Sequence, residues 1–364
     1  MAFDLPSLLD AALEHDASDI FLRSNAVPRM RVKGEVMPWG SDAISFEEMS
    51  QTLDKLLNNE KNKQRFMQDG EVDTAYQFED KCRFRCNIFL SRERQAAVLR
   101  LIPNRVPTFK ELGLPQEALS KICAMRRGLV LVTGITGSGK STTLSAVINH
   151  INETHRRHIV TLEDPVEFVY DDNLSVVNQR EIGTDSSDFH LALRNVVRQS
   201  PDVILLGEMR DKETMEAAIS AAETGHLVFS TLHTTNATQT VERIIQFFPP
   251  HQHDVIRMQL SLVLQGVVSQ RLIPKADNLG RTVAVEVMMN TPRVAELLLG
   301  GKTHELVDAI TESAYYNCQT FNQHLYQLYT NKIITEEAAM SNSDSPDELK
   351  LMMRGISRGG QNFV

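Results

Sequence analysis

A chain of 364 residues predicts two domains, or three, at roughly 150 residues per domain. With 42% hydrophobic and 23% charged residues it can bury a large core unaided, which excludes the small scaffolds that fold only around metals or disulfides. A formal net charge of -9 argues against a dedicated nucleic-acid coat, and no run approaches the ~18 uninterrupted apolar residues of a membrane-spanning helix.

In chain order, the opening MAFDLPSLLD places an acid where a signal peptide wants positive charge, predicting a chain that is not exported. Residues 1–102 read as a mixed α/β unit. LPSLLDAALEH has helical periodicity, with Leu5, Leu8, Leu9 and Ala12 on one side. IFLRSN and PRMRVKGEV read as strands broken between Asn25 and Pro28, and SFEEMSQTLDKLLNNEKNKQRFMQ reads as helix. CRFRCNIFL alternates, so Cys82, Phe84, Cys86 and Ile88 face one way and Arg83 and Arg85 the other. Cys82 and Cys86 would stand about 13 Å apart on such a strand, too far for a disulfide. With Cys123 and Cys318 they form no CxxC pair and read as small buried hydrophobes of a reducing compartment.

Pro103, Pro107 and Pro115 mark residues 103–118 as a linker. From 119 to 290 short apolar runs (GLVLVTG, RHIVTLED, DVILLGE, HLVFSTLH) alternate with helical stretches, and each run is apolar enough to be buried on both faces. That predicts an α/β fold with a mostly parallel sheet under covering helices. Residues 291–364 read as a helical region, through VAELLLGGKTHELVDAI, TFNQHLYQLY and DELKLMMR to a frayed SRGGQNFV.

The run Gly134, Ile135, Thr136, Gly137, Ser138, Gly139, Lys140, Ser141 fits G-x-x-x-x-G-K-[ST], with Thr142 next, between strand-like GLVLVT and helix-like STTLSAVINHIN. Glycines let backbone N–H groups turn inward around phosphate oxygens, and the helix N-terminus adds partial positive charge. Lys140 would serve the β and γ phosphates of ATP, and Ser141 would offer a hydroxyl to Mg²⁺.

Two further strands are predicted to end in acids: HIVTLED at Glu163 and Asp164, DVILLGE at Glu208. Ligands of open α/β sheets bind at strand ends, so beside a phosphate loop these carboxylates suit water activation and metal organisation. Asp202 opens its strand and reads as a turn residue. His226 and His233 flank LVFSTL, either to sense phosphate or simply to pack; their spacing does not suit zinc. Arg83, Arg85 and Arg100 are suited to neutralising a γ-phosphate in a neighbouring subunit, with a solvated strand face as the competing reading.

Together the phosphate loop, TLEDPVEF, the run to GEMRD and AAETGHLVFSTLHTTNA resemble the Walker A, Asp box, Walker B and His box of the secretion ATPase superfamily. The resemblance is to its PilT/PilU branch, the twitching-motility ATPases of type IV pili, over essentially the whole chain. SDIFLRSNAVPRMRVKGEVMP resembles that branch's PAS-like N-terminal domain and the remainder its RecA-like domain. The resemblance implies a cytoplasmic hexamer, peripheral at the inner-membrane pilus base, with ATP sites between subunits. It implies Glu163 as the water-activating acid and Glu208 as the Walker B acid, which with Ser141 serves Mg²⁺. It implies His226 and His233 as γ-phosphate and interface elements, and Arg83, Arg85 and Arg100 as candidates for trans action.

Pilus-assembly and type II secretion ATPases carry a paired-cysteine zinc module, which this sequence lacks; that disfavours an extension motor. VAELLLGGKTHELVDAI stands where the PilT type carries AIRNLIRE, and the ending QTFNQHLYQLYTNKIITEEAAMSNSDSPDELKLMM resembles the PilU type. The implied role is an accessory retraction motor beside a PilT-type ATPase on a PilC-like platform protein. A principal PilT-type motor is the alternative. A nucleic-acid translocase is the alternative from another class, disfavoured by the acidic balance and the lack of aromatic-basic interleaving.

Overall fold

The computed structural model describes residues 3–57, 59–102 and 105–356. The frayed end expected at 357–364 and the first two residues of the expected linker lie outside the described residues. The chain divides into two compact units: residues to Arg105 with Pro165–Val169, and Val106–Asp164 with Tyr170 onward. The first unit thus takes in a short segment from just beyond the acids Glu163 and Asp164. Among the described residues no helix is long and apolar enough to cross a membrane.

The first unit begins with α1 (Leu5–Glu14), started by Asp4, whose carboxylate accepts from the Ser7 amide. It buries Leu5, Leu8, Leu9 and Ala12 as its periodicity requires. Six antiparallel strands follow: β1 (Ala17–Arg23), β2 (Arg29–Val32), β3 (Glu35–Pro38), β4 (Glu71–Phe78), β5 (Cys82–Ser91) and β6 (Arg94–Ile102), ordered β3-β2-β1-β6-β5-β4. PRMRVKGEV is therefore two strands, not one. Lys33 and Gly34 both take positive φ, 50° and 90°, the turn whose twist matches a hairpin, and alternation running through it hides the break. The long helix expected at 45–68 is likewise two, α2 (Phe46–Leu56) and α3 (Glu60–Asp69). Asn59 restarts the helix by accepting from the Asn62 amide. On β5 the face with Cys82, Phe84, Cys86 and Ile88 is core, and burial pushes the Cys86 thiol up to about 12. Cys82, Cys86, Cys123 and Cys318 are all free and buried, thiols shielded from chemistry.

The second unit holds a seven-stranded sheet of β7 (Gly128–Thr133), β8 (His158–Glu163), β9 (Val176–Glu181), β10 (Val203–Leu206), β11 (Leu227–Leu232), β12 (Leu264–Pro274) and β13 (Arg281–Met289). Its order is β13-β12-β7-β11-β10-β8-β9, and every pairing is parallel except β12 with β13. Strands β7, β10 and β11 are buried along their whole length, which their unbroken apolar runs demand. Helix α4 (Gln116–Ala124) leads into β7, and the connections include α5 (Lys140–Thr154), α6 (Phe189–Val196), α7 (Lys212–Glu223), α8 (Ala237–Gln246) and α9 (His253–Val263). Because β7, β8, β10 and β11 run parallel as neighbours, the loops leaving their C-terminal ends gather at one edge. That edge is where the site forms.

Beyond β13 come α10 (Pro292–Leu299), α11 (Leu306–Glu312), α12 (Phe321–Thr330), α13 (Glu336–Ser341) and α14 (Pro346–Met353). They build a satellite core of Phe321, Leu325, Leu328 and Leu349 with Ile273 of β12 and Ala284 of β13. Beside it β13 carries Glu286, 3% exposed, whose pKa burial pushes up to about 7 despite a hydrogen bond from the Ala237 amide. Asp344 pushes the same way and Arg271 opposes. Between pH 4.5, its ordinary value, and about 7 the folded chain keeps a proton that the unfolded chain has lost. Stability therefore falls as pH rises through that window. Glu286→Gln, neutral at every pH, should raise the urea midpoint at pH 8 by the equivalent of roughly 2–3 kcal/mol and leave it near the parent's at pH 4.5. Equal midpoints for the two chains at both pH values would contradict this.

Candidate nucleotide site

Strand β7 ends at Thr133, and the loop 134–139 turns at once into α5. Gly134, Gly137 and Gly139 take φ of +148°, +78° and +92°, backbone that side chains resist. A Cβ on Gly134 would also lie 2.4 Å from Ser138 Oγ and 2.6 Å from the Gln270 carbonyl. Gly134→Ala should therefore destabilise the unit by about 3 kcal/mol and open the loop, readable as a melting shift with lost nucleotide binding. A variant that melts and binds like the parent would contradict it. Gly139 precedes the 15-residue α5 without any capping side chain, so the helix's first N–H groups are left facing the loop.

Lys140, only 8% exposed, curls back over this cradle. Its ammonium donates to the carbonyls of Gly134 at 2.8 Å and Ile135 at 3.1 Å, and Nζ stands 3.5 Å from His233 Nδ1. Burial lowers the Lys140 pKa, and the nearby Glu208 charge counters it. Ile135, Thr136, Gly137 and Ser141 are exposed at the rim, Thr142 and Gly139 half-buried. Ser138 is buried, its hydroxyl without a hydrogen-bond partner among the described residues.

Glu208 comes two residues after β10, and His233 directly follows β11. The chain between them is fixed by the sheet: Gly207 donates to the Leu162 carbonyl at 2.9 Å, and Thr231 Oγ1 to the Gly207 carbonyl at 2.8 Å. His233 Nε2 lies 3.1 Å from Glu208 Oε1, while Arg210 Nη2 lies 3.0 Å from Oε2. Partial burial pushes the Glu208 pKa up, but the Arg210 hydrogen bond and the His233 charge outweigh it and hold the carboxyl below its usual range. Glu163 ends β8, the neighbour of β10, and takes hydrogen bonds from Thr161 Oγ1 at 2.6 Å and Gln179 Nε2 at 3.2 Å. Lys140, His233, Glu208 and Arg210 thus form one chain of contacts, with Glu163 on the adjacent strand end. A phosphate in the loop would meet a cation, a donor and fixed anions at that edge.

His226 is not brought to this edge. It stands at the entry of β11, level with Gly128, its ring 2.9 Å from the Ala221 carbonyl, so a six-residue strand of about 20 Å separates it from His233. In this chain it fastens α7 to β11. Asp202 is the turn residue expected, accepting from the His158 amide at 2.8 Å. Arg83, Arg85 and Arg100 belong to the first unit. Arg100 pairs with the buried Asp19 at 3.0 Å, alongside Arg31, and Arg85 lies 3.9 Å from Glu167, while Arg83 is half-buried on β5. Among the described residues no group of three His, Cys, Asp or Glu is arranged to hold a metal.

Sequence reasoning missed the support from β12. Ser269 accepts from Thr133 Oγ1 at 2.9 Å, and buried Gln270 donates to Thr143 at 2.7 Å while its backbone carbonyl stands where a Cβ on Gly134 would collide. Three consecutive polar residues, Ser269-Gln270-Arg271, inside a mostly apolar strand are the available signal. Arg210, the partner of Glu208, lies within GEMRD, where nothing in the local sequence sets it apart.

Residues 3–344 match the model of a family described as type II/IV secretion system protein. The chain belongs to that family. This member is 42% identical to the type IV pilus ATPase PilU of Pseudomonas aeruginosa, over 96% of its own length and 91% of the relative's. It is 39% identical to the type IV pilus retraction ATPase PilT of the same organism, over 94% and 99%. The crystal structure of the pilus retraction motor PilT with bound ADP superposes with a TM-score of 0.89 at 41% identity, covering 96% of this chain and 99% of that one.

Proposed function

We propose that this family member hydrolyses ATP to drive retraction of type IV pili. The observation that carries the reading is the Lys140–His233–Glu208 contact chain at the mouth of a glycine loop, in a chain similar end to end to PilU and PilT. Lys140 exchanges its two loop carbonyls for the β and γ phosphates, and Glu163 takes the proton of the attacking water. His233 and Arg210 hold the Glu208 carboxylate ionised and aimed. Mg²⁺ fits these residues: the exposed Ser141 hydroxyl and the ionised Glu208 are hard oxygen groups of the kind it takes. When bound it neutralises charge on the phosphates.

The proposal extends to a hexamer in which Arg83, Arg85 or Arg100 from a neighbouring copy completes each site. It places the ring at the cytoplasmic side of the inner membrane, on a PilC-like platform protein beside a PilT-type ATPase. The accessory role is favoured over the principal one by the PilU-like ending, although the identity to PilT is nearly as high. Retraction under load, measured beside a hydrolysis-dead PilT-type partner and again with that partner deleted, tests it. Retraction only with both present supports the accessory role; full retraction without the partner makes this chain a principal motor.

A further inference from the structure

His233 leads into a loop, Thr234–Asn236, that α8 takes up at Ala237. In this loop Thr235 Oγ1 donates to Gln239 within α8, yet its carbonyl and the Ala237 amide turn the other way, to two residues of the β12–β13 hairpin. Arg271 on β12 donates to the Thr235 carbonyl at 3.4 Å. Glu286 on β13, 3% exposed, accepts from the Ala237 amide at 2.7 Å. Among the described residues neither side chain hydrogen-bonds to the phosphate loop.

Arg271 is itself held from the C-terminal helices. Its guanidinium donates to the Asn342 carbonyl at 2.5 Å and to Asp344 at 2.6 Å, and lies 3.8 Å above the Phe321 ring. Two hydrogen bonds from the segment after α13 and the Phe321 ring of α12 therefore meet in one arginine, whose remaining bond is to the backbone two residues from His233. A buried carboxylate is costly to keep, and a hydrophobic residue would pack that strand position more stably. What Glu286 supplies in return is a fixed acceptor for the first amide of α8.

We propose that Arg271 and Glu286 are positioning residues that hold the His233–Ala237 loop against Glu208 and Lys140, and that Asp344 ties this hold to the C-terminal helices. The C-terminal region then tunes hydrolysis without contributing a group to the reacting atoms. Whatever docks on or moves α13 and α14 acts on His233 by this route. The inference rests on the ATPase reading for its effect on turnover, but not for its effect on the loop.

The test uses Asp344→Ala, a change at a half-exposed side chain, in the full chain, together with Glu286→Ala and Glu286→Gln. Hydrogen exchange followed over peptides spanning 233–237 should be about tenfold faster in Asp344→Ala, with peptides of β7 unchanged. Glu286→Ala should expose the Ala237 amide, and Glu286→Gln, which keeps an acceptor, should restore its protection. In the same preparation, kcat for ATP in Asp344→Ala should fall roughly three- to thirtyfold with KM unchanged. Unaltered exchange at 233–237 in both alanine variants overturns the proposal, whatever the turnover. A parent chain that fails to hydrolyse ATP refutes the ATPase reading instead, and the exchange still decides this one.

Discussion

Lys140→Ala is expected to lose nucleotide affinity and turnover together, with kcat/KM down by about four orders of magnitude, on the order of 5 kcal/mol. The side chain is nearly buried, and its ammonium already crosses the loop mouth to the Gly134 and Ile135 carbonyls. A phosphate there exchanges weak carbonyl acceptors for a full negative charge in a partly dry site, which is why a single ammonium counts for so much. Alanine removes that charge and leaves two carbonyls without their donor. Calorimetric titration with ATP and a phosphate-release assay check both halves. Binding within threefold of the parent would break the assignment of this loop to phosphate.

Glu208→Gln should separate the two effects. The cradle of Gly134–Ser141 is untouched, so ATP should bind within a few-fold of the parent, while phosphate release falls about a thousandfold. The reason is local. Both carboxylate oxygens face donors, His233 at 3.1 Å and Arg210 at 3.0 Å, and the ionised state is the one those donors favour. An amide keeps the shape but turns an N–H₂ toward one of the two donors, so either Arg210 or His233 must leave. His233 also borders Lys140, so a displaced ring would misplace the γ-phosphate end while the loop itself keeps its grip on the nucleotide. Tight binding without release supports the account, and parent-like release contradicts it.

The part of the site that sequence reveals is the part governed by local rules. Glycines at positive φ, a lysine at the first turn of a helix and apolar runs ending in acids are each recognisable within ten residues. Parallel pairing then brings strand ends together with no further information, which is how Glu163 and Glu208 come to neighbour one another. His226 shows where that logic fails. It and His233 flank the same strand and look equivalent in the sequence, but a strand has two ends, and only one lies at the loop. The hairpin break at Lys33-Gly34 and the helix restart at Asn59 were hidden because alternation and helical periodicity run on across short turns. The partners of Glu286 and Gln270 are hidden for a different reason. Those partners, Ala237 and Thr143, are 49 and 127 residues away, and only the folded sheet brings them together.

Arg100 poses a similar question for the arginines. Its guanidinium is paired with Asp19, and the two face each other across neighbouring strands at the β1–β6 pairing. An arginine that acts on a neighbour's phosphate must leave a partner such as this, so the trans role proposed for Arg100 requires it to exchange one anion for another.

Hydrolysis at this edge of the sheet is tested by pilus retraction under load in cells that lack this chain and carry a hydrolysis-dead PilT-type partner, complemented with either the parent or Glu208→Gln. The parent should restore retraction, and Glu208→Gln, though present at the same level and able to bind ATP, should not. Equal rescue by the two chains would mean that retraction does not draw on hydrolysis at this site.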